Sequence, residues 1–221
     1  MLTTPTPSLD LKPGWAAEQK WDGFRALIAV DAGQVVVRSR RGTAMGPSFP
    51  EVVAGAVQLP DATALDGELI VWDTTGRLAF ERLQNRLARR GTGAARAAEE
   101  WPAHFVAFDL LRLSGTDTTS WPYQRRRAAL ESVFAARRLS APWALCPSTT
   151  DPDTVREWLT WTSVGMEGLV INSLLNLRVE AGQQGGSGRQ GGVSTGCQRG
   201  ELSRRCDVGV ESGRLGGLGG A

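Results

Sequence analysis

Glu18-Gln19-Lys20-Trp21-Asp22-Gly23-Phe24-Arg25 is the stretch from which the rest of the chain can be read. It holds one of two lysines, the other being Lys12, and every other basic side chain is an arginine. Arginine stays protonated under ordinary conditions and cannot act as a nucleophile, whereas a lysine amine can lose its proton when its surroundings lower its pKa from about 10.4. Lys20 is therefore a candidate for covalent chemistry. A GC-rich coding sequence also replaces lysine by arginine for no chemical reason, so the neighbours have to decide.

Working outward, Asp22-Gly23 reads as a turn, with a short strand over 16–21 before it and a hairpin of strands 24–30 and 34–39 after it, closed at Asp31-Ala32-Gly33. Phe49, Val52, Val53 and Val57 have the spacing of a short helix over 49–57. A second hairpin is expected from a strand over 65–73, a turn at Thr74-Thr75-Gly76 and a returning strand over 77–80. Phe80, Leu83 and Leu87 then repeat every three or four residues, giving an amphipathic helix over 80–90 that Gly91 closes. Residues 91–100 read as a polar, Ala-rich connection, and 104–113 as a largely apolar strand. Pro122 opens a helix over 122–139 with Ala129, Leu130, Val133 and Phe134 inward and Arg125-Arg126-Arg127 outward. Asp151-Pro152 opens another, and 168–172 forms a last short strand. Helices and antiparallel strands without a βαβ rhythm give an α+β class.

Composition sets the limits. Eight tryptophans and 41% apolar residues suit a globular core, and no apolar run approaches the roughly 20 residues of a membrane helix. The start of the chain is Thr- and Pro-rich without a hydrophobic signal segment, so a cytoplasmic protein is expected. Three cysteines without paired spacing and a single histidine, His104, argue against a disulfide framework, a zinc site and a serine-histidine triad. Of the 27 glycines, 14 fall between Gly182 and Gly220, while the last tryptophan is Trp161, which puts a composition break near Asn172. We therefore expect one domain over 1–172 and a Gly/Arg-rich, disordered tail over 173–221. The tail has six arginines against four acidic residues, leaving 1–172 balanced within a net charge of +2. Nucleic acid, if bound, must meet a local patch and not a whole-domain basic field.

The pattern Glu18-x-Lys20-x-Asp22-Gly23-x-Arg25 resembles the nucleotidyl-lysine motif of the covalent nucleotidyltransferases, the superfamily of ATP-dependent DNA ligases, RNA ligases and RNA capping enzymes. Four later segments follow in the family's order: Ser39-Arg40-Arg41-Gly42, Asp66-Gly67-Glu68, residues 105–111 with Phe108-Asp109, and Glu167-Gly168-Leu169-Val170-Ile171. The resemblance spans about residues 15–172 and is closest in wording to bacterial ATP-dependent DNA ligases. It implies a nucleotidyltransferase (ATP-grasp-like) adenylation domain of antiparallel sheets with flanking helices. Lys20 would attack the α-phosphate of ATP to form a lysyl-AMP phosphoramidate, which AMP leaves for the 5′-phosphate of nicked double-stranded DNA in repair or recombination. By the same resemblance Glu18 would contact the adenine edge, Arg25 and Arg40 (or Arg41) the ribose and the nick's 5′-phosphate, and Glu68 the ribose hydroxyl or a metal. Phe108 would stack on the adenine and Glu167 would bind Mg²⁺, while DNA would be held by phosphate contacts with little sequence readout.

The sequence also departs from the family. There, a lysine follows the Glu-Gly-Leu-Val-Ile segment, then a motif with a pair of lysines, then an oligonucleotide-binding (OB) fold. Here Asn172 stands after Ile171, no lysine follows, and the Gly-rich remainder has no strand pattern for a barrel. Losing one cationic group at a phosphoryl transition state costs about 10²-fold in rate. A truncated or frame-shifted product without the OB-fold is the expectation, with weak activity. Two other readings stay open: an RNA ligase or GTP-using capping enzyme, and a non-catalytic remnant that binds nucleotide or DNA ends.

Overall fold

A computed structural model describes residues 11–160 and 166–175; beyond residue 175 the tail lies outside the described residues. In chain order come β1 (Trp15–Trp21), β2 (Phe24–Asp31), β3 (Gln34–Ser39), α1 (Pro50–Gly55), β4 (Thr63–Val71), α2 (Phe80–Leu87), α3 (Gly91–Glu100), β5 (Ala103–Leu113), β6 (Thr116–Asp117), α4 (Tyr123–Arg137), β7 (Trp143–Leu145), β8 (Ser148–Thr149), α5 (Pro152–Trp158) and β9 (Met166–Ser173). The strands form two sheets. The larger has the order β3-β2-β4-β5-β6 with β7 parallel to β5, and the smaller has the order β8-β1-β9. The α+β expectation of antiparallel sheets with flanking helices holds.

Alternation along the strands decides which side is buried. Leu65, Leu69 and Val71 of β4 join Ala26, Ile28 and Val30 of β2 and Phe105 of β5 in one core, which Val52 of α1, Leu83 of α2 and Leu130 of α4 close. The opposite faces of β4 and β5 carry Ile70 and Val106, which share a second cluster with Cys146, Trp21 and Phe108. The smaller sheet rests on α5 through a thin core of Ala17, Val155 and Ile171.

Only Asp22 and Gly23 separate β1 in the small sheet from β2 in the large one. The crossing passes so close to β4 that a Cβ on Gly23 would lie 2.6 Å from the Leu69 carbonyl oxygen. Gly67 is required for the same kind of reason, since its Cβ would sit 2.4 Å from the Val106 oxygen and 2.5 Å from the Phe105 ring. The glycines of both the Lys-Trp-Asp-Gly and Asp-Gly-Glu segments thus answer to close packing against neighbouring strands of the large sheet.

Four local expectations need correction. Residues 91–100 are a helix, α3, because Ala94 and Ala97 bury one face of an otherwise polar segment. The returning strand over 77–80 reduces to a single bridge, Trp72 with Leu78, because Phe80 already starts α2. Val57 belongs to a 3-10 turn and is exposed. Of the outward run on α4 only Arg125 is exposed, stacked 3.8 Å from the Trp121 ring centroid, whereas Arg126 and Arg127 turn toward carboxylates. Arginine spends its long apolar stem against protein and pairs its head, so charge in a helical run is not by itself a sign of solvent.

Candidate active site

Lys20 is half-buried on β1. Its register partner on β9 is Gly168, and the pairing shifts between Lys20 and Trp21, where Met166 becomes the next partner. Gly168 has φ +154°, in the region that glycine adopts without strain. The Glu-x-Lys strand therefore runs antiparallel beside the strand of the Glu167-Gly168 segment. The side chain of Glu167 lies outside the described residues.

Glu18 shares the strand face of Lys20, two residues earlier, and is only 4% exposed. Three donors converge on its carboxylate. The Tyr123 hydroxyl donates to Oε1 at 2.8 Å and Arg127 Nη1 to the same oxygen at 3.3 Å, while Asn172 Nδ2 donates to Oε2 at 2.8 Å. Burial outweighs these contacts and pushes the Glu18 pKa up to about 7, with the negative Asp109 adding to the rise. Burial first, then the Glu18 charge, raises the Tyr123 pKa above its ordinary value, so its hydroxyl stays protonated and a donor. Cys146 is fully buried with its Sγ 3.4 Å from the Gln19 carbonyl, and burial raises its pKa too, which makes it an inert thiol.

Across the crossing, Arg25 forms a two-point pair with Asp66: Nε to Oδ1 at 3.1 Å and Nη2 to Oδ2 at 2.7 Å. Its guanidinium carbon also lies 5.3 Å from the Phe108 ring centroid. Glu68 stands opposite Arg25 in the β2–β4 register and opposite Val106 in the β4–β5 register. A register shift sets Asp66 against Asp109 and Gly67 against Ala107, leaving Phe108 as the extra residue of a β-bulge. Phe108 shares the side of Val106 and meets Arg25, while past the bulge Asp109 accepts a hydrogen bond from Arg126 Nε at 2.8 Å.

Arg40 and Arg41 follow β3 and are both exposed. Together with Arg25, Phe24, Met45 and Leu87 they line a cleft of about 310 Å³. The structure thus brings Arg25 and the doubled arginine to one cleft, and Arg25, Glu68 and Phe108 to neighbouring strand positions. Lys20, Glu18, Glu68 and Phe108 are outside the walls of that cleft. Tyr123 and Arg127 around Glu18 are the residues that motif matching missed; Asp66 lies in a matched segment without a role assigned to it, and Asn172 stands out only as a departure from the family. Arg127 gives no sequence signal, since the helix pattern turns it outward, and the others show only as polar residues among apolar neighbours. Among the described residues no group of three or more His, Cys, Asp or Glu side chains is arranged to hold a metal, and no helix is long and apolar enough to cross a membrane.

Comparison with known proteins shows the family. The sequence model described as "ATP dependent DNA ligase domain" matches residues 1–186. DNA ligase C2 of Mycolicibacterium smegmatis is 39% identical over 166 residues, which cover 74% of this chain and 46% of the relative. The multifunctional non-homologous end joining DNA repair protein LigD of Mycobacterium tuberculosis is 39% identical over 144 residues, 64% of this chain and 18% of that protein. A solved structure of mycobacterial DNA ligase D complexed with ATP and MES superposes with a TM-score of 0.58 at 30% identity, covering 74% of this chain and 49% of the other. The chain spans about half the length of the ligase C2 that it matches. With the family model matched over most of its length and its motif strands side by side, the chain belongs to the ATP-dependent DNA ligase domain family.

Proposed function

We propose that this chain carries the adenylation chemistry of an ATP-dependent DNA ligase, with Lys20 as the nucleophile. The observation that carries the reading is the antiparallel register of Lys20 with Gly168, together with the two-residue crossing that leads from Lys20 to Arg25. In the first step the neutral Lys20 Nζ attacks the α-phosphorus of ATP. A P–N bond forms, the bond from the α-phosphorus to the bridging oxygen breaks, and pyrophosphate leaves. In the second, an oxygen of the 5′-phosphate at a nick attacks the same phosphorus and Lys20 is released. The 3′-hydroxyl then displaces AMP to seal the strand.

Roles for the surrounding residues follow from chemistry and family resemblance. Phe108 offers an aromatic face for the adenine and Glu18 lies along the same strand face as Lys20. Arg25, already held in a fixed fork by Asp66, suits the ribose or an incoming phosphate, as do Arg40 and Arg41 across the cleft. Magnesium is bound in such sites by one or two carboxylates plus the substrate's own phosphates. Glu68 and Glu167 would hold it, and when bound it would neutralise phosphate charge. DNA would be engaged through its phosphates in the cytoplasm, in repair or recombination; the similar LigD is named for non-homologous end joining DNA repair.

Asn172 offers an amide where the family has an ammonium, so a slower first step is the expectation. Incubation with α-labelled ATP, Mg²⁺ and nicked duplex tests the reading: label is expected on the protein and then on the DNA 5′-phosphate, resistant to excess GTP. Competition by GTP would favour a capping-type enzyme. Label on neither protein nor DNA would favour a non-catalytic binder of nucleotide or DNA ends.

A further inference from the structure

We propose that Tyr123 and Arg127 on α4 are positioning residues for the lysyl-AMP step, acting through Glu18 on the strand that carries Lys20. The proposal rests on the adenylation reading and adds two residues that no motif of the sequence singles out. The Glu18 carboxylate is reached from three elements: α4 supplies the Tyr123 hydroxyl and the Arg127 guanidinium, β9 supplies the Asn172 amide, and β1 carries Glu18 itself. The Tyr123 oxygen also lies 3.1 Å from Ser148 Oγ on β8, so one small network touches all three strands of the small sheet and pins them to α4. That sheet has a thin apolar core, and the polar network ties it to α4 beside the packing of Trp21 on the large sheet. A displacement of about 1 Å at a reacting group can cost on the order of 10²-fold in rate.

All three contacts to Glu18 are donors, and an ionised carboxylate is acceptor-only. The ionised form therefore satisfies the whole set. A proton on Glu18 adds a fourth donor, so the set rearranges, with the Tyr123 hydroxyl turning its proton to Ser148 Oγ or a contact opening. The hold on β1 weakens as the charge-assisted contacts are lost. The charged and titratable groups facing Glu18 are Tyr123 and Arg127 of α4, Asp109 of β5, Cys146 ahead of β8 and, on its own strand, Lys20. Asp109 is itself paired with Arg126 at 2.8 Å, and Arg127 also pairs with Glu131 at 2.6 Å. Tyr123 is the cleaner lever, because removing its hydroxyl changes no charge near Lys20.

The test is the single-turnover rate of protein labelling by α-labelled ATP between pH 5.5 and 8.5, at saturating and subsaturating ATP, for the parent, Tyr123→Phe, Arg127→Gln, Arg127→Lys and Glu18→Gln. The proposal expects Tyr123→Phe and Arg127→Gln to lower the saturating rate by about 10-fold or more with little change in the ATP concentration needed for half-saturation. It also expects both to move the acid limb upward by ~0.5 to 1 pH unit, with Arg127→Lys restoring part of the rate and Glu18→Gln lacking that limb. Should Arg127→Gln fail to fold by circular dichroism, Tyr123→Phe decides alone. A parental rate and profile in Tyr123→Phe would overturn the proposal, as would rate and ATP affinity falling together with the limb unmoved. An unlabelled parent would overturn the adenylation reading and this proposal with it, whereas a labelled parent with indifferent variants would overturn this proposal alone.

Discussion

The two sheets solve different problems. The larger is built around fully buried Phe105, Leu65, Leu69 and Leu110, closed by Leu83 and Leu130; the smaller has Ala17, Val155 and Ile171. The candidate nucleotide contacts Arg25, Glu68 and Phe108 are on the large sheet. The candidate nucleophile is on the small one, where a buried carboxylate and its donors do much of the holding. An apolar core holds a strand by area and tolerates small adjustments, whereas a polar cluster holds it by geometry and is costly if incompletely paired.

Truncating each core should expose the difference. Phe105→Ala is expected to lower the unfolding free energy by about 3–5 kcal/mol in denaturant titration, and Ile171→Ala by about 2 kcal/mol. Hydrogen exchange should show the second change first in the β1 and β9 amides, before global opening. Equal loss with uniform exchange would mean that the sheets form one cooperative unit and the contrast fails.

Next in size is a pH effect of opposite sign on stability and on catalysis. Glu18 rises from 4.5 to about 7 on folding, so the folded state holds its proton more tightly than the unfolded chain does. The stability this gives is complete below pH 4.5 and is lost as pH rises through 7. At about 1.4 kcal/mol per pH unit it reaches about 3 kcal/mol as an upper bound. Labelling by ATP should rise over the same window as the ionised carboxylate is clamped by its three donors. Glu18→Gln should flatten this part of the stability profile in chemical denaturation from pH 4.5 to 8; an unchanged slope would show that another group titrates.

A smaller effect is expected on the large sheet's site face. Arg25→Ala should cost about 1–2 kcal/mol, since its pair with Asp66 is two-pointed but partly exposed, and Arg25→Lys should not recover it because an ammonium cannot reproduce the fork. The smallest is Arg156→Ala on α5. Its pair with Asp153 is 67% and 74% exposed, and thermal unfolding should move by less than the equivalent of about 0.5 kcal/mol.

Much of this was legible in the sequence because it depends on local pattern. The strand-turn-strand around Asp22-Gly23, the Val35-Val36-Val37 hairpin arm and the Pro-led helix α4 follow from alternation, turn residues and apolar spacing, and the ordered motifs follow from covalent chemistry that allows few substitutes. What stayed hidden depends on contacts distant in the chain. Helix α3 buries a face too small to register as a period, since alanine carries little apolar weight. The β-bulge at Phe108 is a property of pairing with β4, not of β5 alone. The clamp on Glu18 joins residues more than a hundred positions apart, and Arg126 and Arg127 read as solvent-facing because nothing nearby in sequence shows the carboxylates that they meet.

The claim that all of this serves is that Lys20 becomes covalently adenylylated. Intact-protein mass spectrometry after incubation with ATP and Mg²⁺, followed by peptide mapping, tests it most directly. The account predicts one added AMP per chain on the peptide containing Lys20, removed by pyrophosphate and absent in Lys20→Ala and Lys20→Arg, both still folded. An adduct of the same yield in Lys20→Ala, or one mapped to Lys12, would contradict it.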